Sequence, residues 1–196
     1  WVASPCGASP GQTNCIAAGG GGGDLPTLLI TEVMAAPLDG ATGEFVEVYN
    51  FGDASVDLSG LGISDGDTSD ALLTVPGKSA SVPPAGYCVI IDPDLQDTLT
   101  GAPYFLDDEV PCVVTVAGAS IGNGLAKNDP VALLAQDGVT AFTTYSHPQE
   151  VSAQSVERID LEEADLDSNW LPSPCPEKHS AGRPNCAQDG GGNLAL

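Results

Sequence analysis

The sequence predicts an all-β domain, a β-sandwich or barrel whose loops are stapled by disulfides. Three observations predict it. Short runs rich in Val, Ile, Leu and Thr recur between Gly, Pro and Asp turns. No segment carries a sustained helical period, apart from a weak pattern around Leu161–Leu166. The 6 cysteines are an even number without a C-x-x-C pair, which fits an oxidising compartment better than a zinc or redox motif.

The elements follow in order. Leu28-Leu-Ile-Thr-Glu-Val-Met34 is β-rich and ends at Ala35-Ala-Pro37. Glu44 to Tyr49 alternates except where Phe45 and Val46 adjoin. Val56–Leu58, Gly60–Ser64 and Ala71–Val75 are short strand candidates, and Pro76-Gly77 marks a turn before Ser79–Val82. Tyr87–Asp92 reads as a buried strand, followed by Cys112–Val116. Val131–Ala135 and Val139–Tyr145 form a hairpin across Gln136-Asp-Gly138. Ser155–Ile159 is the last strand. With 42% apolar residues the chain fills a core, and with 5% aromatics that core is mainly aliphatic.

The two ends say nearly the same thing. Trp1-Val-Ala-Ser-Pro-Cys6 and Ser9-Pro-Gly-Gln-Thr-Asn14-Cys15 precede a glycine run. Trp170-Leu-Pro-Ser-Pro-Cys175 and Ser180-Ala-Gly-Arg-Pro-Asn185-Cys186 precede another, the second copy being two residues longer between its cysteines. Self-similarity at a fixed period marks an array. The expected organisation is therefore about one period of a longer tandem-repeat protein. Residues 1–18 are the tail of a preceding repeat, 19–26 a Gly-rich linker, and 27–186 the sandwich. Residues 187–196 are a second Gly-rich linker and the start of the next repeat. Six thiols permit fifteen pairings. If each copy of the doubled end is self-contained, the bridges are Cys6–Cys15 and Cys175–Cys186, leaving Cys88–Cys112.

Lys plus Arg number 5 against 27 Asp plus Glu, a net charge of −22. That argues against binding nucleic acid or anionic lipid, both of which need a basic footprint. It makes identical neighbours repel at low salt, so lateral assembly would need salt or divalent cations. No apolar run is long enough for a membrane-spanning helix, so no membrane insertion is expected.

Several blocks together resemble the lamin-tail domain as it occurs in secreted bacterial proteins. They include Leu28-Leu-Ile-Thr-Glu-Val-Met-Ala35, Gly43-Glu-Phe-Val-Glu-Val-Tyr-Asn50 and Val56-Asp-Leu-Ser-Gly-Leu-Gly-Ile-Ser-Asp65. Val82-Pro-Pro-Ala-Gly-Tyr-Cys-Val-Ile-Ile91, Gly124-Leu-Ala-Lys-Asn-Asp-Pro-Val-Ala-Leu-Leu134 and Gln154-Ser-Val-Glu-Arg158 continue it. Asp167-Ser-Asn-Trp170 and Gly182-Arg-Pro-Asn185 close it, so the likeness runs over residues 27–186. The resemblance implies an immunoglobulin-like β-sandwich serving as an interaction or structural module, often fused to extracellular hydrolases. The cysteines and the polyglycine linker depart from the family pattern and suit an extracellular or cell-surface setting.

Little in the sequence signals catalysis. His147 and His179 fall in no zinc spacing, and no G-x-S-x-G is present. Gly122-Asn-Gly124 lacks the Lys-Ser/Thr of a phosphate loop. Calcium is the one cofactor the sequence suggests. Asp65, Asp67 and Asp70, and Asp165, Asp167 and Asn169, present oxygen ligands at near-alternate positions, though without the terminal Glu of an EF-hand. Arg158 lies in a strand-like stretch and is expected to pair with Glu44 or Glu47 inside the fold.

The expected function is a non-enzymatic structural or assembly module of an extracellular repeat protein, fibre or filament. Its partners are copies of itself, joined head to tail. Leu194, Ala195 and Leu196 match the approach to Leu28, Leu29 and Ile30, so they would begin a next first strand and pair with a neighbour's exposed edge. The alternative is an accessory adhesion or binding domain of a secreted hydrolase.

Overall fold

The computed structural model describes residues 25–37, 43–97, 110–146, 148–149 and 151–188. Cys6, Cys15, His147, Leu194, Ala195 and Leu196 lie outside them, as do the glycine runs of both linkers.

Twelve strands form among these residues: β1 (Leu28–Met34), β2 (Phe45–Asn50), β3 (Val56–Asp57), β4 (Gly62–Ser64), β5 (Ser69–Thr74), β6 (Ser81–Val82), β7 (Tyr87–Ile91), β8 (Val113–Val116), β9 (Val131–Leu134), β10 (Ala141–Tyr145), β11 (Val156–Arg158) and β12 (Trp170–Pro172). A short helix, α1 (Pro93–Asp97), follows β7, and a 3-10 turn (Asp167–Asn169) precedes β12. Ten strands make one sheet in the order β10-β9-β4-β5-β8-β7-β2-β1-β11-β12, and β3 pairs with β6. β5 bonds β4 through Ser69–Ala71 and β8 through Leu72–Thr74, so it passes from one half of the sheet to the other. The sheet curls until its β10 edge meets β1, where Ile30 N donates to Thr143 Oγ1 at 3.1 Å. The result is the all-β, immunoglobulin-like sandwich the sequence predicts.

The interior holds aliphatic side chains from both halves: Ile30, Val46, Val48, Ile63, Ile90 and Leu133 are all fully buried. The half containing β1 and β2 is buried on its other face as well. There Met34, Phe45, Val89, Ile91, Leu95 and Val113 form a second cluster beneath Val110 and Ala181. Adjoining Phe45 and Val46 thus fill two cores, one on each face.

Asn50 ends β2 with all its side-chain groups engaged. Its Oδ1 accepts from Thr27 Oγ1 and Gly52 N, and its Nδ2 donates to Ala54 O and Val82 O, all within 3.0 Å. Asn50→Asp would aim a buried carboxylate at two carbonyl oxygens. Thermal denaturation should show a loss of roughly 3 kcal/mol or more at pH 7.

β7 and β8 run parallel, with Val89 opposite Val113. Cys88 and Cys112 sit one step earlier in that register and are bridged, with Cα atoms 4.7 Å apart. Cys175 and Cys186 form the second bridge, Cα to Cα 5.6 Å. Both pairs are those the doubled ends suggest. Three expectations change. β10 begins at Ala141, because Asp137 turns the chain by accepting from Val139 N and Thr140 N, which leaves Val139 81% exposed. Trp170–Pro172 is a strand at the sheet edge, where Pro172 interrupts little pairing. Leu161–Leu166 forms bends rather than a helix.

Candidate functional site

The most unusual feature is a row of three glutamates across three strands. Glu32 of β1 stands opposite Glu47 of β2 on one side and Glu157 of β11 on the other. Cross-strand partners share a face, and each of the three is 0% exposed. A β-bulge creates the row. The β1–β2 register skips Thr31, so Ile30 and Val33 both face the main core while Glu32 turns to the opposite face.

No cation sits with them. Among the described residues the one salt bridge joins Arg183 and Glu177 at 3.8 Å on the surface, where such a pair contributes little. The carboxylates accept hydrogen bonds instead, mainly from the Ser173–Ala187 segment that carries the Cys175–Cys186 staple. Glu32 accepts from Ser180 N (2.9 Å) and Ser180 Oγ (2.9 Å), and from Ser155 Oγ (2.5 Å). Glu47 accepts from Gly182 N (2.7 Å) and Thr31 Oγ1 (2.7 Å). Glu157 accepts from Ser173 Oγ (2.5 Å) and Ala187 N (2.7 Å). Asn185 pins the loop from the other side, its Nδ2 donating to Thr31 O and Arg158 O.

Two loop residues show why this sequence fits here. Gly182 has φ +84, and a Cβ there would stand 2.5 Å from Val110 Cγ2. Only glycine brings its N–H onto Glu47 in that conformation. His179 packs edge-on against Phe45, with ring centroids 5.9 Å apart. Burial, then the charge of Arg183, holds its pKa below the ordinary histidine value, so it is a neutral packing group at pH 7.

Burial dominates the electrostatics of the row. It raises Glu32 from 4.5 to about 7, helped by the charge of Glu157 and opposed by the serine hydrogen bonds. It raises Glu47 well above 4.5, with Glu32 adding repulsion. Glu44 lies apart, accepting from Leu125 N at 3.0 Å. Burial and then Asp92 and Asp129 raise it to about 7.

The expected bridge from Arg158 to Glu44 or Glu47 is absent. Successive strand residues point to opposite faces, so Glu157 joins the acidic row and Arg158 faces the other way. Its guanidinium lies 5.5 Å from the Trp170 ring and donates to Asp160 O and Glu163 O. Its Nη1 is buried with no hydrogen bond. Much of what Arg158 supplies is therefore packing, which a long apolar side chain reproduces. Arg158→Met should keep the unfolding free energy within about 1 kcal/mol of the parent, whereas Arg158→Ala should lose roughly 2 kcal/mol or more in denaturant melts.

The two acidic runs proposed for calcium act as local hydrogen-bond acceptors. Asp65 Oδ1 accepts from Asp67 N and Thr68 N, and Oδ2 from Asn123 N. Burial would raise its pKa, but these amides outweigh that and hold it below the ordinary value. Asp70 accepts from Gly122 N. Asp165 accepts from Thr144 Oγ1, Ser146 N and Trp170 Nε1. Asn169 is buried and bonded to the backbone of Asp160 and Ala164. These donors compete with a cation for the carboxylate oxygens of Asp65, Asp70 and Asp165. Calorimetric titration of chelator-treated protein should therefore give no heat at millimolar Ca²⁺.

Glu157, Cys175 and Cys186 bring their ligand atoms within 4.8 Å of one another. The disulfide removes the thiolates that a metal would need. A shallow groove lined by Gly60, Ser69, Asp70, Gln136 and Gly138 carries Asp70 as its one carboxylate. The sequence reading missed the glutamate row. Its signal was three glutamates, each inside a β-branched run, in a chain with only 5 cations to pair them.

A family model described as Lamin Tail Domain matches residues 24–148. The match includes Glu32 and Glu47 but ends before Glu157 and the stapled loop. No curated protein matches the sequence. Among solved structures, a DUF4876 family protein from Bacteroides thetaiotaomicron is similar over 55% of this chain and 42% of its own, at 12% identity and a TM-score of 0.32.

Proposed function

Because the chain belongs to the lamin tail domain family, we propose that it is a non-catalytic structural module of an extracellular repeat protein, fibre or filament. The doubled end carries this reading. A lamin tail domain whose closing segment recurs ahead of its first strand is the pattern of modules strung in series. Two disulfides fit an oxidising, extracellular setting. The glutamate row supports a structural role, since its fully buried carboxylates are closed to any substrate. Copies with a net charge of −22 repel, so association should require screening.

Negative-stain microscopy of the full chain tests the proposal. Linear rows or filaments are expected as salt or millimolar divalent cation is added. Isolated particles at every salt and protein concentration would remove the assembly role.

The reading as an accessory binding domain has one observation in its favour. Tyr49 and Tyr87 lie with ring centroids 4.9 Å apart on the outer sheet face, and Phe51, two residues along from Tyr49, is 52% exposed. Binding to polysaccharide that Phe51→Ala abolishes would favour it.

A further inference from the structure

The 117–130 loop, which joins β8 to β9, is held down by carboxylates. Its amides at Gly122, Asn123 and Leu125 donate to Asp70 of β5, Asp65 just past β4 and Glu44 just before β2, at 2.9, 2.8 and 3.0 Å. The amide of Ile121 lies close enough to Asp92, just past β7, to favour its charged form. Asp129 closes the loop's far turn by accepting from Ala126 N at 2.7 Å. Among the described residues none of these acids makes a salt bridge, and Lys127, the loop's own cation, is exposed. Ile121 and Leu125, both buried, fill the end of the main core under the loop.

Glu44 and Asp92 form a pair within this set. They continue the β2–β7 register one step past Phe45 and Ile91, with Asp92 N donating to Glu44 O at 3.2 Å. Residues directly opposite across two strands have Cβ atoms about 5 Å apart, where like charges repel. Both side chains are buried, and Asp92 Oδ2 has no hydrogen-bond partner. A proton on one of the two relieves the repulsion and supplies the O–H donor that Asp92 Oδ2 lacks. The neighbouring acids add to this demand, Asp129 repelling Glu44 and Asp94 repelling Asp92, with burial the largest influence on each.

We propose that the 117–130 loop is a pH-controlled latch over the end of the main core. It stays closed while Glu44 and Asp92 hold a proton between them, and it opens more often once both are ionised, withdrawing Ile121 and Leu125. The latch is separate from the glutamate row, which the stapled segment covers, and it does not depend on the chain being an assembly module.

Amide hydrogen exchange on the full chain tests this, in high salt at pH 5, 6.5 and 8 and corrected for intrinsic exchange. The closed loop binds protons that the open loop releases. Opening therefore grows as pH rises above 4.5 and levels off past about 7, the value to which burial raises Glu44. Asp70, also raised by burial, acts in the same direction, whereas Asp65 is charged throughout this range. Protection of the Gly122 and Leu125 amides should fall about tenfold or more between pH 5 and pH 8. Glu44→Gln should remove that fall, because the new side chain still accepts from Leu125 N and its amide donates to Asp92 Oδ2 at any pH. Asp92→Asn should do the same. Glu32→Gln separates the latch from unfolding of the whole domain, since it should leave the pH dependence of these two amides as in the parent. The proposal is overturned if protection in the parent does not change with pH. It is equally overturned if Glu44→Gln and Asp92→Asn lose protection at pH 8 as the parent does, or if Glu32→Gln flattens the loop's profile.

Discussion

Raising the pH from 5 to 8 lowers the stability of the domain. Glu32, buried between two other carboxylates, keeps its proton to about pH 7 where an unfolded glutamate loses it near 4.5. The native state therefore binds more protons than the unfolded state in that window. Stability is fully present below 4.5 and is lost as pH climbs through the folded value. For Glu32, which is fully buried, the difference is on the order of 3 kcal/mol. Glu47 acts in the same direction for the same reason, although the two titrate together and their contributions do not simply add. Glu44, raised to about 7, adds a third contribution.

His179 works in the opposite sense. Its folded value is depressed, so it disfavours the native state as pH falls below 6.5, one group against three. Asp57, Asp65 and Asp137 have lowered values and act only on the acid side of 3.8. General repulsion in a chain of net charge −22 also grows with pH, but salt screens it and leaves the buried groups. Urea melts at pH 5, 6.5 and 8 in high salt isolate the effect. Glu32→Gln should flatten the profile by raising stability at pH 8 and changing little at pH 5. A serine hydroxyl accepts from the new amide as readily as it donates to the carboxylate. A flat or rising profile in the parent would show that the carboxylates are ionised at no cost.

The strands and both disulfides were legible because they rest on local signals. β-branched runs end at Gly, Pro and Asp, and the doubled end pairs its own cysteines. The glutamate row was not legible. Alternation along Leu28–Met34 is broken by an extra residue, Thr31, which only the partner strand reveals. The three acids lie far apart in sequence, and their partners are scattered Ser and Thr hydroxyls and backbone amides, which every residue type but proline has. Arg158 was read as a partner for Glu47 because both are charged and strand-borne; opposite faces of the sheet separate them. The Asp65 and Asp165 runs offer oxygens at near-alternate positions, a pattern shared by calcium loops and by turns that close on their own amides. Spacing alone does not distinguish the two.

Replacing Cys175 and Cys186 by alanine together should cost more stability than replacing Cys88 and Cys112 together. Chain entropy alone gives the opposite order. The bridges span 11 and 24 residues respectively, worth roughly 3 and 3.5 kcal/mol if only the unfolded state mattered. The native state reverses this. Cys88 and Cys112 lie in a parallel pair already fixed by β7–β8 hydrogen bonds and a packed core, so their sulfurs constrain strands that hold without them. The Cys175–Cys186 loop has no strand partner between its cysteines. It carries the donors from Ser180 and Gly182, with Ser173 and Ala187 just outside the staple. Freed of the bridge, the loop must order itself on the row unaided, and each time it opens, two buried carboxylates, Glu32 and Glu47, lose partners. The penalty should therefore depend on pH: large at pH 8, where Glu32 and Glu47 are driven to ionise, and smaller at pH 5, where burial keeps those two protonated. Denaturant melts of both double variants at the two pH values decide it. A larger loss from Cys88 and Cys112, or a Cys175 and Cys186 penalty independent of pH, would mean that the stapled loop rests on the row without holding it.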